Sequence, residues 1–140
     1  MAKVYRFTFH VPYAHVDQMK VVYYANFLMY FEMARSALLR EAGLSYSEME
    51  ANGVMLPVVE AHCDYHQFAR YDDELTILST CLPFKGPRLR INYEVFRDDT
   101  LLTTGYTHHV CMSPEGRILR PTAALRALCD EVVDTCCSNL

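Results

Sequence analysis

From Tyr5 to Val11 every second residue is apolar, with Tyr5, Phe7, Phe9 and Val11 alternating with Arg6, Thr8 and His10. A period of two marks a strand with one buried face. Beyond Pro12 and a polar loop the period changes. Phe27, Tyr30, Phe31, Ala34, Leu38 and Ala42 recur mostly at three- and four-residue steps and Gly43 supplies a stop, which predicts one long, mostly buried helix. A chain that runs from a half-buried strand into a buried helix must cover that helix with its remaining residues.

Those remaining residues read mainly as strands. Val54 to Phe68, Glu74 to Phe84, Arg88 to Arg97 and Leu101 to Met112 are predicted as four more, with Leu89, Ile91, Tyr93 and Val95 giving the cleanest alternation. Breaks fall at Arg70-Tyr71-Asp72-Asp73, Gly86-Pro87 and Asp98-Asp99. Ser113-Pro114-Glu115-Gly116 is a turn, after which Arg117 to Leu119 adds a short strand. Ser45 and Glu48 have capping-box spacing for a short helix that stops near Asn52-Gly53. Thr122 is placed to cap a last helix whose stripe is Leu125, Leu128, Val132 and Cys136. The order is an α+β pattern, read as one domain over residues 1–140.

Composition removes several function classes. A formal charge of −4 argues against a nucleic-acid partner. No apolar run approaches the ~20 residues of a membrane span, and the N-terminal MAKVYRFTFH alternates where an export signal would be continuously apolar. The expected location is the cytoplasm. Cys63, Cys81, Cys111, Cys129, Cys136 and Cys137 lack the paired spacing of a zinc site, so reduced thiols are expected. Cys137-Ser138-Asn139-Leu140 has the outline of a prenylation box, but its polar middle positions argue against lipidation. His62 and His66 flank Cys63, yet strand alternation sends the thiol to the opposite face, and His108-His109 beside Cys111 has the same difficulty. No metal is expected. Nucleophile-elbow, phosphate-loop and dinucleotide motifs do not occur in the sequence.

The chemistry lies between Tyr13 and Arg35. Asp17 precedes the aromatic-rich helix by a few residues. A helix start carries N–H groups without intrahelical partners, so a carboxylate held beside it suits a reaction that develops an oxyanion. The same residues also read as a strand end, a loop and an amphipathic core helix, with Asp17 a capping or loop aspartate.

Asp17-Gln18, the run Val21 to Phe27 and Phe31-Glu32-x-Ala34-Arg35 resemble the signature of hotdog-fold acyl-CoA thioesterases of the 4-hydroxybenzoyl-CoA thioesterase type. The likeness continues through Leu56-Pro57-Val58-Val59-Glu60-Ala61, Ala69 to Leu75 and Gly105-x-Thr107-x-His109-Val110. It implies an antiparallel sheet wrapped around a long central helix, and hydrolysis of acyl-CoA to acid and CoA. It further implies Asp17 as general base or nucleophile, the backbone N–H of Tyr24 as oxyanion donor, and a homodimer or homotetramer with active sites at subunit interfaces. Tyr13 and Asn26 fall within the motif as pocket-shaping or loop-fixing residues. Glu60, a carboxylate in an apolar strand, needs water or a partner and is a candidate pocket residue from the facing subunit. Lys85, Arg88 and Arg90, with Arg70 and Arg120 behind them, are candidates for the CoA phosphates. Coenzyme A is then part of the substrate and no cofactor is expected.

Two positions depart from the family pattern. Lys20 stands where glycine is usual, which bears on loop shape and on the acyl groups that fit. His15 stands where an acid is usual; along an extended segment it would point the same way as Asp17 and tune its ionisation, or it is an exposed loop histidine. A carrier-protein thioester is an alternative substrate. A non-catalytic acyl-CoA or acyl-carrier-protein binding module, or an enzyme that hydrates or dehydrates acyl thioesters, are the alternative functions on the same fold.

Overall fold

The computed structural model describes residues 3–129. Its elements are β1 (Val4–His10), a 3-10 turn (Tyr13–His15), α1 (Asn26–Glu41), α2 (Tyr46–Ala51), β2 (Val58–Tyr65), β3 (Glu74–Cys81), β4 (Arg88–Arg97), β5 (Thr100–Val110) and α3 (Ala123–Cys129). The strands form one antiparallel sheet in the order β1-β3-β4-β5-β2. α1 packs on one face of it, which is the α+β arrangement expected of a hotdog fold.

The alternation of the sequence explains that packing. Tyr5, Leu75, Ile77, Leu89, Ile91, Tyr93 and Val95 are all buried and meet Phe27, Tyr30, Phe31, Ala34 and Leu38 of α1 in one core. Phe31 stacks on Tyr93 with ring centroids 4.4 Å apart. Gly105 makes that approach possible, because a Cβ there would lie 2.6 Å from the Phe31 ring and overlap the carbonyl oxygen of His62. The other face of the sheet is polar and solvated, as an antiparallel sheet permits.

Several ends differ from the sequence reading. β2 begins at Val58, not Val54, because Pro57 has no N–H for the ladder; before it Met55 makes only an isolated bridge to Met112. β3 ends at Cys81, two residues before Pro83, and β5 is shifted to Thr100–Val110. Arg117 to Leu119 is not a strand; Ile118 makes a single bridge to Met112. α1 ends one residue early, Ala42 is its exposed C-cap, and Gly43 takes φ +78°. Ser45 accepts from Glu48 N–H at 3.4 Å to start α2, and Thr122 Oγ1 accepts from Leu125 N–H at 3.2 Å to start α3. Val132, Cys136 and the C-terminal box lie outside the described residues.

Candidate active site

Asp17 is placed by a tight turn. Val16 and Val22 form an antiparallel bridge, Asp17 N–H donates to Val21 O at 2.9 Å, and Lys20 N–H donates to Asp17 O at 2.9 Å. Inside that turn Met19 N–H donates to Asp17 Oδ1 at 2.9 Å, which fixes the carboxylate while Oδ2 has no partner among the described residues. The turn closes with Lys20 at φ +65°, a backbone region that glycine enters most easily. Asp17 lines an open cleft of about 840 Å³ with Tyr13, Val16, Gln18, Lys20 and Tyr71. Tyr13 and Tyr71 meet edge to face at 5.4 Å on its wall.

The same turn leads directly into the start of α1. Tyr23 N–H donates to His15 O at 3.0 Å, so Tyr23 and Tyr24 follow directly from the paired segment. The N-cap of α1 is Ala25, which has no side-chain cap, so Asp17 is not the helix cap. The backbone N–H groups of Tyr24 and Ala25 find no acceptor among the described residues. They are two donors of the positive end of a helix dipole. The Tyr23 phenol is pushed above its ordinary value by its hydrogen bond with Tyr24, and to a lesser degree by the nearby Asp17 charge. The Asp17 charge thus reaches the paired phenols that lead into the uncapped helix start.

His15 behaves otherwise than an extended segment would require. Residues 13–15 form a 3-10 turn, so alternation does not apply. The half-buried ring turns inward, with Nδ1 3.0 Å from the buried Tyr30 hydroxyl, whose own pKa burial pushes up to about 12. It is neither an exposed loop histidine nor a residue of the Asp17 cleft. Asn26 Nδ2 donates to His15 O at 3.0 Å and so ties the turn to the first residue of α1. Arg70 is exposed, and its N–H donates to Asp73 Oδ2 at 2.8 Å. It is the chain neighbour of Tyr71, which lines the cleft.

Glu60, Lys85, Arg88 and Arg90 are elsewhere in the chain. The ladder sends Glu60 to the face of the sheet opposite α1, where it is exposed. There it accepts from Arg88 Nη2 at 2.9 Å and Tyr106 OH at 2.8 Å, and the Tyr106 bond is the main reason its carboxyl lies below the usual range. Arg90 stacks on the Tyr106 ring at 3.9 Å. Lys85 pairs with Arg88 through backbone hydrogen bonds in the β3–β4 turn. The Asp17 turn adjoins the segment that leads into β3, where Val22 N–H donates to Ala69 O at 2.8 Å, while Lys85 follows the end of β3. At about 3.3 Å per residue, the length of β3 puts roughly 20 Å between the two groups.

Between α1 and the end of β5 runs a buried polar chain that sequence reading missed. Arg35 is buried on α1, ion-paired with Glu32, and its Nη1 reaches Leu56 O at 3.1 Å and His109 Nδ1 at 2.6 Å. His109 Nε2 lies 2.7 Å from Thr107 Oγ1, which is 2.8 Å from the Tyr93 hydroxyl. Burial, reinforced by the Arg35 charge, drives the His109 pKa down to about 3, so its ring is neutral. The signal available in the sequence was an arginine next to the apolar stripe of α1.

Known proteins resemble this chain in sequence and fold. The chain is 32% identical to YneP of Bacillus subtilis (strain 168), covering 75% of this chain and 77% of that protein. It is 29% identical to the acyl-CoA thioester hydrolase YbgC of Escherichia coli O157:H7, over 79% of this chain and 84% of the relative. Among solved structures, the 1,4-dihydroxy-2-naphthoyl-CoA thioesterase Slr0204 from Synechocystis superposes with a TM-score of 0.84 at 27% identity, covering 91% of this chain and 97% of that one. Fold and relatives define the class, a hotdog-fold thioester hydrolase. The chain belongs to the thioesterase-like superfamily, whose family model matches residues 11–133.

Proposed function

We propose that this acyl-CoA thioesterase uses Asp17 as its catalytic carboxylate and the backbone N–H of Tyr24 as oxyanion donor. The observation that carries this reading is a carboxylate with one unengaged oxygen whose charge reaches Tyr23, just before a helix start that no side chain caps. Water adds to the thioester carbonyl as Asp17 takes its proton, or Asp17 adds first to give a mixed anhydride that water then opens. The carbonyl oxygen becomes an oxyanion facing the N–H donors. Collapse of the intermediate breaks the C–S bond and releases CoA. A simple thiol has a pKa of about 8.5, so the thiolate leaves without prior protonation. No metal or redox cofactor takes part, and coenzyme A is part of the substrate.

The active unit we propose is at least a homodimer, joined through β2. That strand is an edge of the sheet and every residue of it but Cys63 is exposed. Val58, Val59 and Tyr65, with Tyr24, Leu28 and Met29 of the α1 region, are large exposed apolar side chains. An edge of this kind invites pairing with a second strand. Arg70, exposed next to Tyr71, and the basic turn of Lys85, Arg88 and Arg90 from a second copy, are the groups that would meet the CoA phosphates. The polar outer face of the sheet offers a surface on which two dimers form a homotetramer. Reduced thiols at Cys63, Cys81 and Cys111 support a cytoplasmic setting.

The test is thiol release from a panel of aromatic and aliphatic acyl-CoAs and one acyl-carrier-protein thioester. Release with stoichiometric free acid is expected. Tight binding of every thioester without release, or an absorbance change at an acyl double bond without thiol, would contradict the reading.

A further inference from the structure

Lys20 occupies a place on the cleft wall that the backbone does not favour for it. Lys20, Asp72 and Asp98 are the non-glycine residues with positive φ among the described residues. Aspartate enters that region comparatively easily because its short side chain bonds locally; lysine has no such compensation. A strained residue on the same turn as a carboxylate points to work done by its side chain. That side chain lines the same cleft as Asp17, is exposed to it, and makes no ion pair among the described residues. The rest of the wall includes Tyr13, Val16 and Tyr71, which suit an apolar stem.

Resting on the proposed function, we infer that Lys20 is a specificity residue that binds an anion at the far end of the acyl group. The preferred substrates are then CoA thioesters of diacids, with a straight-chain or aryl stem ending in a second carboxylate. The electrostatics favour this assignment. An acyl group that carries its own negative charge is repelled by Asp17, and an unpaired ammonium three residues along the same turn offsets that repulsion. A neutral acyl group gains nothing from it.

The experiment compares kcat/KM for matched pairs, hexanoyl-CoA with adipoyl-CoA and benzoyl-CoA with 4-carboxybenzoyl-CoA, in wild type, Lys20→Arg, Lys20→Met and Lys20→Gly. Glycine suits φ +65°, so loss of the fold does not confuse that variant. The expected result is a preference for the charged member of tenfold or more in wild type and Lys20→Arg, weakening with salt, that collapses in the Met and Gly variants chiefly through KM. An equal ratio in all four proteins, or a wild-type preference for the neutral member, would overturn the assignment. So would a KM rise on Lys20→Met that is the same for every thioester, since that places the ammonium on a CoA phosphate. Release from neutral thioesters without charge preference removes only the role of Lys20, whereas no release from any of them removes the thioesterase reading as well.

Discussion

His109 shows how far a single residue departs from its sequence appearance. Next to His108 near the end of β5 it reads as one of two adjacent histidines, yet it is buried against Arg35 and held neutral with a pKa near 3. The unfolded chain takes up a proton near the usual 6.5 and the folded one does not, so stability is present above pH 6.5 and is lost as pH falls toward 3. The slope from this group approaches about 1.4 kcal/mol per pH unit. Urea unfolding at pH 7.5 and pH 4.5 should show a larger loss in wild type than in His109→Gln; equal losses would contradict a neutral buried ring. Asp17 and its place before the helix were legible because motif and helix start fall in one stretch of chain. The inward turn of His15 was not, because a three-residue 3-10 turn breaks the alternation from which facing is inferred.

At the scale of elements, every strand and helix that a clear period announced is present, and errors gather at the ends, where single residues decide. Pro57 delays β2 and the chain leaves β3 just before Pro83, effects that apolar runs on either side conceal. Arg117 to Leu119 is too short for its own apolar residues to decide pairing, and one bridge is all that forms. The contact between α1 and the β2–β5 ladder depends on Gly105, a position where the motif was readable but its reason was not. Gly105→Ala should push Phe31 from Tyr93 and His62 from its strand, costing about 1–3 kcal/mol and lowering Tm by roughly 3 to 10 °C in a thermal scan. An unchanged Tm would mean that the helix is not seated on the sheet as described.

The whole molecule exposes on one side what a monomer would bury. An edge strand and the outer side of α1 near its start present Val58, Val59, Tyr65, Leu28 and Met29 to solvent, and no pattern within one chain predicts which copy covers them. Light scattering should give at least twice the 16.2 kDa of the chain, and Val59→Lys, which places a charge on the edge, should shift the assembly toward monomer with loss of activity. A fully active monomeric Val59→Lys protein would contradict an interface active site. Separation of the basic turn from Asp17 by the length of β3 belongs to this scale too. Sequence brings Lys85, Arg88 and Arg90 together but does not say at which end of the sheet.

The measurement that bears most directly on Asp17 is a paired one, kcat for thiol release and Kd for the same acyl-CoA, on wild type and Asp17→Asn. Removal of a catalytic carboxylate should lower kcat by about 10²- to 10⁴-fold and leave Kd within a few-fold, because the isosteric amide preserves the turn. A kcat within a few-fold of wild type would show that another group performs the hydrolysis and that the carboxylate beside the helix start only shapes its loop.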